Sequence, residues 1–371
     1  MQQRKIRAII SGGGTGGHIF PAVAIANALK TANHETEILF VGALGRMEME
    51  KVPAAGYKIV GLNISGIQRK LTLSNLMVPF KVIASVRRSK EIIREFKPDV
   101  AIGVGGYASA PLLYAATSLK VPALIQEQNS YAGITNKILS KRVQKICVAY
   151  DGMEKYFPKE KIILTGNPVR QDIQDVSGKR EEALKFFGLN AGKKTVLVIG
   201  GSLGARTINE SIIEGLSRLK EKNIQLVWQT GKSFFSKAKE ATESLGENGI
   251  KAFEFIQRMD LAYAAADVVV SRAGASSVSE LALVAKPAIL VPSPNVAEDH
   301  QTKNAMALVN KEAAILISDM EARVKLVDAA VSLVQDETKQ NKLKQNISRL
   351  ALRDSAMKIV AEIYSMLEGR K

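Results

Sequence analysis

The sequence predicts a two-domain α/β protein built on parallel sheets. Three observations carry that prediction. The chain has 371 residues, 46% apolar and 24% charged, an ordinary globular composition. That length exceeds the roughly 250–300 residues at which a single core stops growing. Short β-branched runs alternate with longer amphipathic segments, the pattern of strands joined by crossover helices. Finally, four glycine-rich loops each follow a strand, two in each half.

In the first half the predicted strands are 7–11, 37–41, 58–62, 100–104, 123–126 and 145–148. In the second they are 195–199, 225–229, 252–255, 267–271, 288–291 and 314–317. Between the halves lies Thr165-Gly166-Asn167-Pro168-Val169, whose glycine and proline suit a hinge. Residues 355–367 read as a helix, with Met357, Val360, Ile363, Tyr364 and Leu367 at three- and four-residue spacing.

Cys147 is the only cysteine, which excludes a disulfide framework and suits a reducing compartment. The start MQQRKIRAIISGGG is too poor in apolar residues for a signal peptide. Residues 100–119 are too polar and too interrupted to span a bilayer, so a soluble chain is expected. The formal net charge is +16, and residues 1–165 hold 23 basic against 11 acidic side chains. An anionic partner should therefore meet the first half. Nucleic acid is a poor candidate, because only Phe80 and Phe96 interleave the cations of residues 69–97.

The first glycine loop is Ser11-Gly12-Gly13-Gly14-Thr15-Gly16-Gly17-His18, with Pro21 expected to open the helix behind it. Gly12, Gly14 and Gly17 satisfy G-x-G-x-x-G. A dinucleotide site also needs an acid at the end of the second strand, and that strand ends Val41-Gly42-Ala43 instead. The second loop, Gly200-Gly201-Ser202-Leu203-Gly204-Ala205, opens a helix at Arg206, where Ser202 and the amides suit a diphosphate. The third runs Gly103-Val104-Gly105-Gly106-Tyr107-Ala108-Ser109. The fourth is Ser271-Arg272-Ala273-Gly274-Ala275-Ser276-Ser277-Val278-Ser279-Glu280. Loops at strand C-terminal ends are where open α/β sheets bind ligands, so a cleft between two facing domains is expected.

GGGTGGHIFPAVAIANAL, GVGGYASAP, QEQNSYAGITNK, TGNPVR, GGSLGAR, SRAGASSVSE and DHQTKNA follow one another along residues 12–305. In that order they resemble the MurG family, bacterial undecaprenyldiphospho-muramoylpentapeptide β-N-acetylglucosaminyltransferases. The resemblance implies a GT-B fold, two Rossmann-like domains facing a cleft. It divides the chain into an acceptor- and membrane-facing domain, 1–165 plus a returning segment from about 341 to 371, and a UDP-GlcNAc domain, 166–340. The activity implied is inverting transfer of GlcNAc from UDP-GlcNAc to lipid I (undecaprenyl-diphospho-MurNAc-pentapeptide). This yields lipid II and UDP for peptidoglycan synthesis at the cytoplasmic face of the inner membrane. Another lipid acceptor for a GT-B glycosyltransferase is the alternative reading.

By the same resemblance Ser202 meets the diphosphate, Ile256 the uracil, the Ala275–Glu280 loop the nucleotide, and Gln301 the sugar. Arg170 resembles a donor-site arginine and Asn129 a sugar-binding asparagine. Thr15, Gly16, Gly17 and Tyr107 are further substrate-loop candidates. Many family members carry histidine where this chain has Gln126. A carboxylate such as Glu280 suits a ribose diol, since it accepts from two neighbouring hydroxyls. No Asp-x-Asp occurs and His18, His34 and His300 lie far apart in sequence, so neither a catalytic metal nor a cofactor is expected. Leaving-group charge would then be met by a helix N-terminus. The acceptor hydroxyl needs a base. His18, with its near-neutral ordinary pKa, is the first candidate and Glu127 the second.

Residues 69–97 hold Arg69, Lys70, Lys81, Arg87, Arg88, Lys90, Arg94 and Lys97 against Glu91 and Glu95. Pro79 is expected to open a helix whose inward face is Val82, Ile83, Val86, Ile93 and Phe96. Leu71, Leu73, Leu76, Met77 and Phe80 fall outside that stripe. An apolar patch ringed by cations fits peripheral binding to an anionic membrane. Covering the domain's own core is the competing role for these leucines.

Overall fold

The computed structural model describes residues 4–64, 78–169, 173, 175–201, 204–246 and 249–369. Two compact units emerge: Met1–Val169 with Asp354–Lys371, and Arg170–Arg353.

In the first unit the strands are β1 (Arg7–Gly12), β2 (Glu37–Ala43), β3 (Lys58–Leu62), β4 (Val100–Gly105), β5 (Ala123–Glu127), β6 (Lys145–Val148) and β7 (Ile162–Leu164). They pair in the order β3-β2-β1-β4-β5-β6-β7, all parallel. Strand β7 was not anticipated; it is three residues long and half exposed at the sheet edge. The helices are α1 (Gly16–Ala32), α2 (Glu48–Ala54), α3 (Val78–Phe96), α4 (Ser109–Ser118) and α5 (Ile134–Leu139). Neighbouring residues of β1 face opposite sides, as a strand requires. Ile10 packs with Ile25 and Leu29 of α1, whereas Ile9 packs with Ile92, Leu112 and Leu113 of α3 and α4. Cys147 is buried in this core, and burial pushes its thiol up to about 12, so it is an inert apolar filler.

In the second unit the helices are α6 (Arg180–Phe187), α7 (Arg206–Glu214), α8 (Leu216–Glu221), α9 (Phe235–Glu243), α10 (Met259–Ala265), α11 (Ala275–Val284), α12 (His300–Val309), α13 (Ala322–Gln335) and α14 (Glu337–Ser348). Its strands are β8 (Thr195–Ile199), β9 (Gln225–Gln229), β10 (Ile250–Phe253), β11 (Val268–Ser271), β12 (Ala288–Leu290) and β13 (Ile315–Leu316). The order is β10-β9-β8-β11-β12-β13, again all parallel. The strand expected at 252–255 sits two residues earlier, because its pairing with β9 ends at Phe253 opposite Gln229.

Helix α15 (Ser355–Glu368) returns to the first unit. Its Ile359, Val360, Ile363, Tyr364 and Leu367 are buried in the same cluster as Ile10 and Leu29. Residues 341–353 stay with the second unit, where Leu343 of α14 joins its core.

Candidate active site

Each sheet reverses its strand order once, between β1 and β4 and between β8 and β11. A crevice opens at such a switch point, beyond the strand C-terminal ends. All four glycine loops follow one of these four strands. Two loops that were equivalent only as sequence signals are therefore neighbours within each unit.

In the first unit the loops after β1 and β4 interlock. Strand pairing shifts register between Ser11 and Gly12, and Gly13 N–H then donates to the Gly105 carbonyl at 3.2 Å. The helix behind the first loop starts at Gly16, not at Pro21, which lies inside α1. Thr15 is its N-cap residue in extended conformation, and no side chain caps the first turn. Gly16 and Gly17 thus belong to a helix N-terminus, whose amides and dipole favour an anion. His18 belongs to the same turn. Its Nδ1 lies 2.9 Å from the Gly13 carbonyl oxygen. A carbonyl only accepts, so Nδ1 carries a proton, and in the neutral ring the lone pair is then on Nε2. The Thr15 hydroxyl is 3.5 Å from the same nitrogen, too long for a good hydrogen bond. The ring rests on Gly105, where a Cβ would come within 2.7 Å of Cδ2 and where φ is +106°. Only glycine serves at that position. Tyr107, in the third loop, is 46% exposed.

Glu127, at the end of β5, is buried and fully engaged. Its Oε1 accepts from the Asn129 N–H at 3.1 Å and from Asn129 Nδ2 at 3.3 Å. Its Oε2 accepts from the Gly133 N–H at 3.0 Å and from Asn136 Nδ2 at 2.9 Å. This carboxylate holds the 128–133 loop, with Asn129, in shape. Gln126 proves structural: fully buried, it binds the Asn167 Oδ1 through Nε2 at 2.9 Å, and it also bonds Gln128. Asn167 Nδ2 returns to the Gln128 carbonyl at 2.9 Å. The amide cluster pins the chain leaving the first unit to the β5 loop.

In the second unit α11 starts at Ala275 with Gly274 as N-cap residue and no side-chain cap. Ala275 and Val278 are buried, while Ser276, Ser277, Ser279 and Glu280 are partly exposed. Glu280 accepts the hydroxyl of fully buried Tyr263 at 2.9 Å, which fixes the carboxylate. Ile256 is buried, and its N–H donates to Gln229 Oε1 at 2.9 Å. Gln229 Nε2 in turn donates to the Gly201 carbonyl at 3.1 Å, tying the β10 exit to the second glycine loop. Gln301, in the first turn of α12, accepts the Ser293 N–H at 2.9 Å. Ser202 and Arg170 lie outside the described residues. Sequence reasoning missed Tyr263 and Gln229. Each acts through a hydrogen bond between residues distant in sequence, and neither sits in a glycine motif.

Helix α3 corrects one expectation. Its inward face is Ser85, Ser89, Ile92 and Ile93, with Val86 and Phe96 partly buried. Val82 and Ile83, near the start of the helix, are nonetheless 39% and 54% exposed, beside Phe80 at 67%. Val82 shares the face of Ser85 and Ser89 one turn earlier, so its exposure comes from its place at the N-terminal end of the helix. Arg69, Lys70, Leu71, Leu73, Leu76 and Met77 lie outside the described residues. Among the described residues no helix is long and apolar enough to cross a membrane.

Two parallel sheets, each with glycine loops and an uncapped helix N-terminus at its switch point, define a doubly wound α/β protein of the GT-B type. The chain belongs to glycosyltransferase family 28: residues 8–148 match the family's N-terminal domain and residues 195–359 its C-terminal domain. A relative from Parabacteroides distasonis is 58% identical, covering 99% of this chain and all of its own. One from Flavobacterium psychrophilum is 54% identical over the whole of both chains. Both are named UDP-N-acetylglucosamine--N-acetylmuramyl-(pentapeptide) pyrophosphoryl-undecaprenol N-acetylglucosamine transferase. Among solved structures, Acinetobacter baumannii MurG superposes with a TM-score of 0.80 at 26% identity, covering 98% of this chain and 100% of that one. A putative UDP-N-acetylglucosamine 2-epimerase from Listeria monocytogenes shares the fold alone, with a TM-score of 0.68 at 14% identity, covering 99% of this chain and 98% of that one.

Proposed function

We infer that this glycosyltransferase moves N-acetylglucosamine from UDP-N-acetylglucosamine to the muramoyl-pentapeptide of lipid I, producing lipid II and UDP for peptidoglycan synthesis. The observation that carries this reading is identity of 54–58% over essentially the full chain with relatives named for that transfer. In the second unit, the amides opening α7 and the Ser202 loop take the diphosphate, with Arg170 offsetting charge. Ile256 and the Ala275–Glu280 turn take the nucleoside, Glu280 its ribose diol, and Gln301 the sugar. In the first unit, Thr15, Gly16, Gly17, Tyr107 and Asn129 contact the acceptor.

The chemistry is one inverting displacement. The acceptor hydroxyl oxygen attacks the anomeric carbon while the bond from that carbon to the β-phosphate oxygen breaks. UDP leaves with the electron pair, and His18 Nε2 takes the hydroxyl proton. His18 is favoured as base because its lone pair is set by the Nδ1 bond, whereas four N–H groups already occupy Glu127. Charge on departing UDP is met by helix N-termini, so no metal enters the step.

The protein sits peripherally on the inner membrane, on its cytoplasmic side, through exposed Phe80, Val82 and Ile83 of α3. Lys81, Arg87, Arg88 and Lys90 flank them, and each such cation adds about 1 kcal/mol at an anionic surface. Nucleic acid is not a partner in this reading.

A transfer assay with labelled UDP-GlcNAc and a lipid I analogue tests the assignment. Label should reach the lipid with or without chelator, and Glu280→Ala should raise the UDP-GlcNAc requirement about tenfold or more. Transfer only to a diacylglycerol acceptor would replace lipid I by another lipid substrate.

A further inference from the structure

One peptide group of the first glycine loop lies between a buried carboxylate and the imidazole of His18. Its N–H, belonging to Gly14, donates to Glu48 Oε2 at 2.8 Å. Its carbonyl, belonging to Gly13, accepts from His18 Nδ1 at 2.9 Å. Glu48 is 1% exposed, and its other oxygen accepts the Ala43 N–H at 3.0 Å. The surroundings are shaped for this side chain. A Cβ on Gly13 would come within 2.2 Å of Glu48 Oε1, and one on Gly42 within 2.6 Å of its Cγ.

We propose that Glu48 is a positioning residue for His18, acting through the Gly13–Gly14 amide to fix its tautomer and strengthen Nε2 as a proton acceptor. Hydrogen bonds in series polarise one another, most where water is excluded. A negative charge on the amide N–H draws electron density onto the carbonyl oxygen, making it a better acceptor for Nδ1–H. An imidazole so held keeps its proton on Nδ1 and gains basicity at the other nitrogen. The arrangement is a carboxylate–histidine pair with one peptide group inserted between the partners.

The other ionisable groups near α1 are engaged elsewhere: Lys30 donates to the His34 carbonyl and the Tyr57 hydroxyl to Asn27 Oδ1. Strand β4 carries none. Arg7 of β1 pairs with Glu37 at the opposite end of the strand. On α2, Glu50 and Lys51 pair with each other on the exposed side. On α15, Lys358 and Glu368 are exposed, Glu362 pairs with Lys145, and the Tyr364 hydroxyl donates to the Arg4 carbonyl. Glu48 is the carboxylate joined to His18 through a shared amide.

The effect on rate rests on the reading of His18 as base; the coupling itself does not. The test is a pH titration of the full-length protein by NMR, with the His18 signal identified by its loss in His18→Ala. In the wild type the Glu48 carboxyl carbon should show an inflection at the His18 midpoint. Glu48→Gln should lower that midpoint by about half a pH unit or more, moving the acidic limb of the kcat profile with it. It should cost about tenfold in kcat with KM for UDP-GlcNAc near wild type, while Tm falls because one buried N–H loses its acceptor, and Glu48→Asp should restore part of the midpoint and kcat changes. An unchanged His18 midpoint in folded Glu48→Gln overturns the proposal. Should that variant not fold, a Glu48 carbon signal flat through the His18 titration does the same. Wild-type turnover in His18→Ala would remove only the base, leaving the titration result to stand.

Discussion

His18 is presented by residues that lack side chains. Gly105 gives the ring a floor, and Gly13 supplies the carbonyl that selects its tautomer. His18→Ala should lower turnover by about 10²–10⁴ and abolish the acidic limb of the pH–rate profile. That limb belongs in this reading to the imidazole, which accepts a proton only while neutral; below its pKa the base is lost. UDP affinity, measured by calorimetry, should stay near wild type, because this reading puts the donor contacts in the other unit. Turnover within a few-fold of wild type would reduce His18 to a loop residue. Histidine was legible as a candidate because its type is rare here and its ordinary pKa suits the task. Glu48 was not, since its bond to Gly14 N–H spans 34 residues and leaves no local pattern.

At the scale of elements, most strands follow from composition, but two helices do not behave as their residue types suggest. Pro21 read as a helix opener, by the usual preference for proline in the first turn. The glycines before it adopt helical geometry first, so proline falls inside α1, where Gly17 forgoes its usual N–H partner. Helix α3 turns Ser85 and Ser89 inward, toward the core shared with α4. Its apolar N-terminal residues Phe80, Val82 and Ile83 are exposed, which sharpens the membrane prediction. Vesicles containing anionic lipid should retain the protein at low salt and release it at high salt. The Debye length falls from about 30 Å at 0.01 M to about 3 Å at 1 M. Replacing Phe80, Val82 and Ile83 together by Ser should cut retention while Tm holds, because these side chains are already exposed. Retention unaffected by the triple change would remove α3 from the interface.

At the scale of the whole molecule, helix α15 is buried in the core of the unit that holds β1 to β7. Five apolar side chains of α15 are buried there, each worth roughly 1.5–3 kcal/mol. Their sum is comparable with the roughly 5–15 kcal/mol that holds a typical domain folded. Truncation after Arg353 should therefore unfold the first unit and leave the second intact. Hydrogen exchange should find protection lost across residues 4–169 and kept across β8 to α14, with UDP binding retained. Protection persisting in the first unit would make α15 dispensable.

What the sequence alone determined was local in origin: the alternation of strand and helix, the four glycine loops, the chemical suitability of His18 and Glu280, and the helix at 355–367. Each rests on periodicity, turn chemistry or side-chain type within a few residues. Only tertiary structure decided that the loops after first and fourth strands become neighbours, because strand order is set by pairing across the sheet. It alone decided that Glu127 and Gln126 serve as clamps, that α3 shows Val82 and Ile83 to solvent, and that Glu48 lies beneath the glycine loop. A hydrogen bond to a distant backbone amide costs no particular neighbour in sequence, so its donor and acceptor meet only when the chain has folded.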